Sequence, residues 1–414
     1  MDEPIGGTAP RRPALIFIFV TVLLDMLALG MMIPVLPKLV VAFEGGDIAS
    51  GAEMFGLFGT VWALMQFVFA PVQGALSDRF GRRPVVLLSN LGLGLDYILM
   101  AVAPNLTVLL IGRVISGISA ASVSTSFAYI ADVTPPDERA GSFGMIGTAF
   151  GAGFVLGPAV GGLLGGIDLR LPFWGAAALS LLNFLYGMLV LPESLPRDRR
   201  VAFAWRRANP IGALILLRTY PRLLGLSTVN FLHNLSHVVL SSVFVLYASY
   251  RYGWDERAVG LTLAFVGVCS AIVQGGLVRP IVARAGERRA MLIGLACGAA
   301  GFVIFGTAPT GALFCLGVPV MALWGLTNPS TQSLMSRRVS PSEQGQLQGA
   351  QSSLQGVAGL IGPGIFTLIF AHSIGPQRGW ELPGAPFLLA ALLLLAGIAV
   401  GVRATRTSDG DAAR

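Results

Sequence analysis

Charged residues are scarce in this 414-residue chain. Asp, Glu, Lys and Arg make up 12% of it, about half of the usual share in globular proteins. Hydrophobic residues make up 54%, and the mean hydropathy is +0.74. One water-facing surface has no room to hide so many apolar side chains. The composition therefore excludes a soluble domain, a disordered chain and a collagen-like chain, and it indicates a polytopic membrane protein.

Cysteines and catalytic motifs are also few. Cys269, Cys297 and Cys315 are an odd number and fall in predicted membrane spans, so we expect packing residues and no disulfide framework. The sequence shows no phosphate-binding loop, catalytic triad or ladder of metal ligands. We therefore expect no enzyme, no cofactor, no metal site and no ATP-driven pump.

Long apolar runs occupy most of the chain. A bilayer core of roughly 30 Å requires about 20 apolar residues per helix. We predict an all-α polytopic fold of twelve transmembrane helices, which are called spans 1 to 12. Their expected bounds are 14–37, 52–75, 84–103, 106–131, 140–166, 172–191, 222–249, 258–283, 289–308, 311–336, 344–371 and 383–403. Span 1 is too long for a cleavable signal, so we expect it to stay in the membrane.

The 28 Lys and Arg residues, which give a formal net charge of +7, are distributed loop by loop. Twelve spans place both termini on one side, and that side carries most of the basic residues. The basic residues expected on the opposite side are Lys38, Arg170, Arg251, Arg257 and Arg378. The positive-inside rule therefore predicts cytoplasmic termini. A nucleic-acid-binding protein would gather its charge on one face, so we expect no nucleic-acid partner.

The chain contains an internal repeat. Four landmark pairs are each 205 residues apart: Pro136 and Pro341, Glu138 and Glu343, Gly144 and Gly349, Pro158 and Pro363. The segment VQGAL at 72–76 returns as VQGGL at 273–277. We predict six-helix bundles at 1–191 and 222–414, joined by a basic cytoplasmic linker at 192–221. Repeats of this kind are typical of transporters that hold their solute between the two halves.

The loop after span 2 reads GALSDRFGRRP. Its glycines permit a tight turn, and Asp78 is expected at a helix N-terminus, paired with an arginine. We predict a latch that breaks when the halves rock. The candidate gating residues are Gly74, Asp78, Arg79, Gly81, Arg82 and Arg83. The alternative, an ordinary positive-inside loop, explains the arginines but leaves Asp78 unexplained.

Span 5 carries a glycine pattern, G-x8-G-x3-GP-x2-GG. The residues are Gly144, Gly153, Gly157, Pro158, Gly161 and Gly162. Small residues at helical spacing let two backbones approach, and the proline removes a backbone donor and bends the helix. The alternative interpretation is plain helix packing.

Three ionisable residues fall well inside predicted spans: Asp25, Asp96 and Arg113. A charge at this depth costs roughly 2.5–3.5 kcal/mol on insertion scales, so such residues are functional candidates. A buried aspartate near Arg113 can load and release a proton. A fixed structural ion pair is the alternative for Asp96 and Arg113. Asp25 is the stronger proton candidate because the helix breakers Pro34 and Pro37 follow it.

A polar stripe follows one face of span 7: Asn230, His233, Asn234, His237 and Ser241. We predict a cavity wall that contacts solute or relays protons. Hydrogen bonding between helices is the alternative. The two histidines are spaced to grip a metal, but no inward carboxylate or thiol accompanies them.

A second stripe opens span 11: Gln344, Gln348, Gln351 and Gln355. The positions 205 residues earlier in span 5 include Phe150, so the halves would offer one amide wall and one aromatic wall. This pairing favours an amphipathic, ring-bearing solute over a sugar.

The Gly74–Pro84 motif, LLIGRVISGISAA and the span-5 glycines resemble signatures of the major facilitator superfamily, and the last is similar to that of its antiporters. The segments LLDMLALGMMIPVLPKL, APVQGALSDRFGRRPVVLL, GLDYILMA, YGW and QGQLQG resemble the tetracycline/proton antiporter group. The resemblance runs from about residue 21 to 400.

The resemblance implies proton exchange at Asp25 and Asp96, gating by the loop of Asp78 and Arg82, and a proton-transfer role for Arg113. That group carries a histidine in helix 8 and an aspartate in helix 9. Those two positions hold Ser270 and Gly298 in this chain.

We therefore expect a proton-coupled exporter of an amphipathic, drug-like solute, with tetracycline as a candidate, in a bacterial cytoplasmic membrane. The expected partners are this solute, protons and the lipid bilayer, and the expected state is a monomer. Spans 1, 5, 7 and 11 would hold the solute. One alternative is a proton symporter that imports a sugar or an organic acid. The other is a non-transporting membrane receptor or scaffold.

Overall fold

The computed structural model describes residues 11–120, 122–135, 138–201, 221–340, 344–375 and 381–411. The backbone in these ranges is helical with short connections and contains no strand, which confirms the all-α class. Eleven of the described helical segments are long and apolar enough to cross a bilayer, and Leu106–Ser119 is a shorter apolar helix. The chain is a multi-pass membrane protein.

The described residues of the first half form eight α-helices. They are α1 (Arg11–Met32), α2 (Leu36–Phe43), α3 (Ile48–Phe80), α4 (Arg82–Val102), α5 (Leu106–Ser119), α6 (Ser122–Val133), α7 (Arg139–Gly165) and α8 (Leu171–Val190). A single 3₁₀ turn follows at Arg197–Arg199.

Eight α-helices are also described in the second half. They are α9 (Pro221–Tyr252), α10 (Glu256–Ile272), α11 (Val278–Ala285), α12 (Glu287–Thr307), α13 (Gly311–Ala322), α14 (Thr327–Ser336), α15 (Gln344–Ile374) and α16 (Ala385–Asp411). A π-helical turn, Val273–Leu277, joins α10 to α11, and a 3₁₀ turn, Leu323–Leu326, joins α13 to α14.

One predicted span is divided in the structure. Span 1 breaks between Met32 and Leu36, where the predicted breaker Pro34 interrupts the helix. Span 4, expected over 106–131, corresponds to α5 and α6, and residue 121 between them lies outside the described residues.

Helix boundaries follow the repeat. The helices α4 and α12 both begin and end 205 residues apart, and α7 and α15 begin 205 residues apart. Gly81 and Gly286, which precede α4 and α12, have φ of 107° and 79°. Only glycine adopts these angles readily, so the same turn recurs in both halves. The domain bounds 1–191, 192–221 and 222–414 stay a prediction, and 202–220 of the linker lie outside the described residues.

The apolar core differs between the halves. In the second half one cluster extends through the bundle around Val243, Phe302 and Phe366. In the first half two separate clusters lie around Phe58 and around Phe17. Asp25 lies in α1 at the level where these two clusters meet. A polar layer therefore divides the first half but not the second.

The span-5 glycines make close contacts on two faces of α7. A Cβ added at Gly157 would lie 2.7 Å from Gly30 Cα in α1, and one at Gly162 would lie 2.9 Å from Gly260 Cα in α10. Gly153 and Gly161 also face the backbone of α1. Gly144 has no atom within 4 Å of its added Cβ. The packing interpretation therefore accounts for most of the motif, and α7 continues through Pro158 without a break.

We expect Gly157→Ala to lower the free energy of unfolding by about 1–2 kcal/mol, because overpacking against the backbone of Gly30 exceeds the gain in helix propensity. The matched control is Gly144→Ala, the same change in the open part of the same helix, which we expect to leave stability unchanged or slightly raised. Thermal unfolding of the two purified variants in detergent measures the difference. Equal melting temperatures for both variants would contradict the packing role.

Candidate functional site

Asp25 is buried in the middle of α1, with 5% of its surface exposed. The side-chain amide of Asn183 in α8 donates to Asp25 Oδ1 at 2.9 Å and to the carbonyl oxygen of Thr21 at 3.0 Å. The carboxyl group is thus held in a fixed orientation toward α8. Asn183 is not among the predicted site residues, although it is the one amide side chain in predicted span 6.

Asp96 in α4 is fully buried, and neither carboxylate oxygen makes a close hydrogen bond among the described residues. On α5, Arg113 acts on this carboxyl group through its charge, and the Ser116 hydroxyl faces it as a longer-range hydrogen-bond donor. Gly112 leaves room for the carboxyl group, since a Cβ there would lie 2.8 Å from Asp96 Oδ1. The Arg113 guanidinium lies over the ring of Trp62 at 5.3 Å from the centroid. A tight, fixed ion pair between Asp96 and Arg113 is therefore not what the geometry shows.

The two acids belong to one buried region. The fully buried ring of Tyr97 interacts electrostatically with both Asp25 and Asp96. The region lies between α1, α4 and α8, inside the first half. The structure thus brings together the two aspartates that the sequence singled out, and it places Arg113 at their edge.

Arg82 is the centre of the predicted gating loop. Its guanidinium donates to Asp78 Oδ1 at 2.5 Å and to Asp132 Oδ2, at the end of α6, at 3.1 Å. Its backbone N–H donates to Glu193 Oε1 at 2.8 Å. The predicted pairing of Asp78 with an arginine is present, and Asp132 and Glu193 are partners that the sequence did not indicate.

Two expectations about this loop were wrong. Asp78 lies in the last turn of α3 and not at a helix N-terminus, because that helix continues to Phe80. Gly74 lies inside α3, where its hydrogen bonding is helical, so only Gly81 forms the turn. Arg79 lies over the ring of Phe80, and Arg83 donates to the carbonyl of Met188 at 2.7 Å.

The loop also holds the start of the linker. The backbone N–H of Val201 donates to the carbonyl of Asp78 at 3.1 Å, and Arg200 lies 3.7 Å from Glu193. In the described residues these contacts all join parts of the first half and the linker. The loop therefore tethers the linker in this conformation.

At the end of the bundle far from the termini, the halves are sealed together. Lys38 in α2 donates to the carbonyl oxygen of Trp254 at 2.8 Å and pairs with Glu256 Oε1 at 3.1 Å. Gly162 and Gly165 of α7 pack against Glu256 as well. We call this contact the Lys38–Glu256 seal. Lys38 was expected on the side opposite the termini, but no role was predicted for it.

The opposite end, which carries the termini, is open. The glycines of α7 nearest that end have no atom within 4 Å of an added Cβ; they are Gly144, Gly147 and Gly151. The same is true of Gly275 and Gly276 in the π-helical turn. The helices α7 and α10 therefore meet at the sealed end and separate toward the other, which leaves an opening on the side of the termini.

A cavity of about 320 Å³ lies in the second half between α9, α10 and the α13–α14 region. His233 and His237 line it and lie beside the indole of Trp324, with centroid distances of 4.6 and 5.5 Å. Gln274 also lines it. The histidines of the predicted span-7 stripe thus face a cavity, as expected.

The other predicted solute contacts are dispersed. Asn234 donates to the carbonyl and side chain of Asn230 at 2.8 and 3.1 Å, and neither lines the cavity. Gln348 accepts from Gln332 at 2.7 Å, and the buried Gln351 donates to a methionine sulfur. Gln355 is exposed, and Phe150 stacks on a phenylalanine of α6 at 6.5 Å in the first half. The structure therefore does not gather these residues into one site.

The two departures from the antiporter group belong to this cavity. Ser270 lines it. A Cβ added at Gly298 would lie 2.7 Å from Trp324 Cγ, so the indole occupies the space that a larger residue would need. No cluster of three or more potential metal ligands occurs among the described residues.

A repeated bundle of membrane-spanning helices with buried acids, an end seal and a cavity has the architecture of the secondary transporters. Residues 18–363 match the family model of the Major Facilitator Superfamily, and the chain belongs to this family.

Relatives cover nearly the whole chain. The class C tetracycline resistance protein of Escherichia coli is 39% identical over 386 residues, which are 93% of this chain and 97% of that protein. The class G protein of Vibrio anguillarum is 37% identical over 388 residues, with the same coverage. The crystal structure of the human organic anion transporter MFSD10 gives a TM-score of 0.70 at 26% identity, covering 95% of this chain and 100% of that one.

We expect Lys38→Glu to open the sealed end, because two carboxylates would then face each other. The double variant Lys38→Glu with Glu256→Lys restores opposite charges, and we expect it to close the end again in most molecules. Pulsed electron paramagnetic resonance between spin labels at Ala42 and Arg251 measures the separation. An unchanged distance distribution in the single variant would show that the ion pair does not hold the seal.

Proposed function

We propose that this protein is a proton-coupled exporter of an amphipathic, drug-like solute, with tetracycline as the first candidate. It works by alternating access in a bacterial cytoplasmic membrane, with both termini in the cytoplasm. The identity to tetracycline resistance proteins over nearly the full chain supports this function. So does the observation that carries it, the buried carboxyl group of Asp25 on a helix that packs against the glycine-rich α7.

Asp25 is the main proton site in this proposal, and Asp96 is the second. A carboxylate in the bilayer interior is costly, whereas the neutral acid is tolerated, so proton binding changes the energy of the helix that carries it. Asn183 orients Asp25, and Arg113 places a positive charge near Asp96. In each conformation, the two aspartates exchange protons with the side of the membrane to which the transporter is open.

Movement of α1 reaches the second half through α7. Gly157 places α7 in backbone contact with α1, and Gly162 places it in backbone contact with α10. No long side chains lie between these backbones. A displacement of α1 therefore cannot be absorbed by side-chain rearrangement and is passed on to α7 and α10. We infer that proton binding at Asp25 changes the balance between the cytoplasm-open and outward-open conformations through this stack of three helices.

The two ends of the molecule then alternate. In this proposal the described conformation is the cytoplasm-open one, in which solute enters from the cytoplasm and the Lys38–Glu256 seal closes the outer end. Outward opening breaks this seal. In the outward-open conformation the halves meet at the cytoplasmic end, where we propose that the loop of Asp78 and Arg82 acts as the latch.

Inverted membrane vesicles with an acid interior test the function. We expect added tetracycline to release protons from vesicles that contain the wild-type protein, and Asp25→Asn to reduce this release at least about tenfold, because the amide cannot carry a proton. A pH-sensitive dye outside the vesicles measures the release.

The matched control is Asp47→Asn. Asp47 caps α3 outside the membrane by accepting from the Ser50 hydroxyl and from the N–H groups of Ser50 and Ala49, which together lower its pKa, and asparagine caps equally well. This variant should exchange like the wild type. If Asp25→Asn retains exchange and its pH dependence, the proton role is wrong. If tetracycline gives no response, the solute must be another one.

A further inference from the structure

Buried polar side chains accompany the two acids on α1, α4 and α8. Four of these side chains are at most 1% exposed, and each has a buried oxygen atom. None of the four oxygen atoms has a hydrogen-bond partner among the described residues. They are Thr21 Oγ1 in α1, Asn90 Oδ1 in α4, and Ser180 Oγ and Asn183 Oδ1 in α8. Buried polar atoms are normally paired, so a group of unpaired ones requires an explanation.

Contacts between α8 and α1 give the height of Ser180. The Asn183 amide donates both to the Thr21 carbonyl oxygen and to Asp25 Oδ1. Ser180 lies on the same buried face of α8, about one turn before Asn183. Because α8 runs antiparallel to α1, one turn back along α8 corresponds to one turn forward along α1, from Thr21 to Asp25. Ser180 therefore lies level with Asp25.

Contacts between α8 and α4 place the second acid at the same height. A Cβ added at Gly94 of α4 would lie 2.7 Å from Leu181 Cδ2. Leu181 follows Ser180 directly in α8, and Gly94 lies just before Asp96 in α4. The helix α8 packs against both α1 and α4. The buried Ser180 hydroxyl is thus level with both acids, on the helix that contacts the two helices that carry them.

The second half of the repeat has hydrocarbon at the equivalent positions. The helices α4 and α12 begin 205 residues apart, and the pair Pro-Phe recurs near the start of α8 and of α16, 214 residues apart. Asn90 and Ser180 therefore correspond to Leu295 and Leu394, which are both fully buried in one apolar cluster. Because a serine side chain is smaller and more polar than a leucine side chain, the first half provides room and polar partners for buried water.

We propose that buried water molecules connect Asp25 with Asp96, with the Ser180 hydroxyl as the relay group between them, so that the two acids share protons. The inference rests on the proposed function and deepens it, because it makes two proton sites one connected pair. The unpaired oxygen atoms of Thr21, Asn90 and Asn183 accept hydrogen bonds from these water molecules and hold them in place.

A hydroxyl group donates one hydrogen bond and accepts others, as water does, so it can stand in a chain of water molecules. When a proton moves along this chain, the acid that releases it becomes a carboxylate, and the carboxylate at the other end becomes an acid. Each O–H bond that breaks along the chain is replaced by a new one. The water molecules and Ser180 are therefore unchanged after the transfer.

Infrared difference spectroscopy tests for the water without any solute. Spectra of the full-length protein in lipid nanodiscs are recorded at acid and at neutral pH, in ordinary water and in oxygen-18 water. We expect the wild type to show O–H stretching bands that shift with oxygen-18. Ser180→Leu introduces the residue of the second half, and Ser180→Ala removes only the hydroxyl group. We expect each variant to remove or displace these bands.

The matched control is Ser373→Ala. Ser373 is also a buried serine, but its hydroxyl donates to the carbonyl oxygen of Ile369 within its own helix, at 2.7 Å. The loss of this hydroxyl should leave the water bands unchanged.

Proton exchange tests the relay. With tetracycline as the probe in the inverted vesicles, we expect Ser180→Ala to slow proton release at least about fivefold, the effect of one lost buried hydrogen bond. Ser180→Thr keeps the hydroxyl group, and we expect it to retain about half of the wild-type rate or more. A packing role alone predicts the reverse order, because the additional methyl group of threonine overpacks a buried site whereas alanine fits.

Three results would overturn the inference: wild-type bands that do not respond to oxygen-18, wild-type bands in both Ser180→Ala and Ser180→Leu, or unchanged proton release in Ser180→Ala. Proton release that fails in Asp25→Asn but stays normal in Ser180→Ala would leave the proposed function standing and refute the relay alone. Water bands that respond to Ser180→Ala in a protein without a response to tetracycline would support the buried water and refute tetracycline as the solute.

Discussion

The rest of the structure depends on the contact of one helix backbone with two others. Gly157 and Gly162 lie on different faces of α7, and each leaves less room than a methyl group requires. One contact joins α7 to the helix of Asp25, and the other crosses to the second half. Only α7 therefore separates α1, which carries Asp25, from α10, which belongs to the second half. Close packing transmits displacement well, so charge in the first half and geometry in the second are physically connected.

The two halves of the repeat retain the position of an ion pair but not the residue types that form it. Arg82 pairs with Asp132 at 3.1 Å, and the residues 205 positions later, Glu287 and Arg337, pair at 2.7 Å with the signs exchanged. The ion pair joins the same two helix ends in each half, since it bridges the start of one helix to the end of another. Either arrangement of charges satisfies that requirement. Gln73 and Gln274 show the opposite case, in which the residue type is retained but the contacts differ. Gln73 donates to the carbonyl oxygen of Ile118, whereas Gln274 lines the cavity.

Periodicity and charge predicted much of this molecule, and the exceptions have physical reasons. The twelve crossings, the break at Pro34 and the buried acids follow from local composition. The partner Asn183 does not, because the contact depends on how α8 lies against α1. The span-7 stripe is on one face by helical spacing, but that face is wide. The histidines point to Trp324, whereas Asn230 and Asn234 bond to each other. The π-helical turn could not be predicted from the sequence, because VQGGL and the regular α-helical segment VQGAL have nearly the same composition.

The two halves differ in the way that a coupled exchanger requires. Two apolar clusters divide the first half, and Asp25 lies in α1 where they meet. The second half has one continuous cluster, and none of the residues that line the cavity beside it is Asp, Glu, Lys or Arg. In the proposed mechanism the proton therefore binds in the first half, away from this cavity. Coupling in that mechanism is conformational and passes through the α1–α7–α10 contact. An exchanger of this type keeps its proton machinery while this cavity changes, which fits a second half that departs from the antiporter pattern at Ser270 and Gly298.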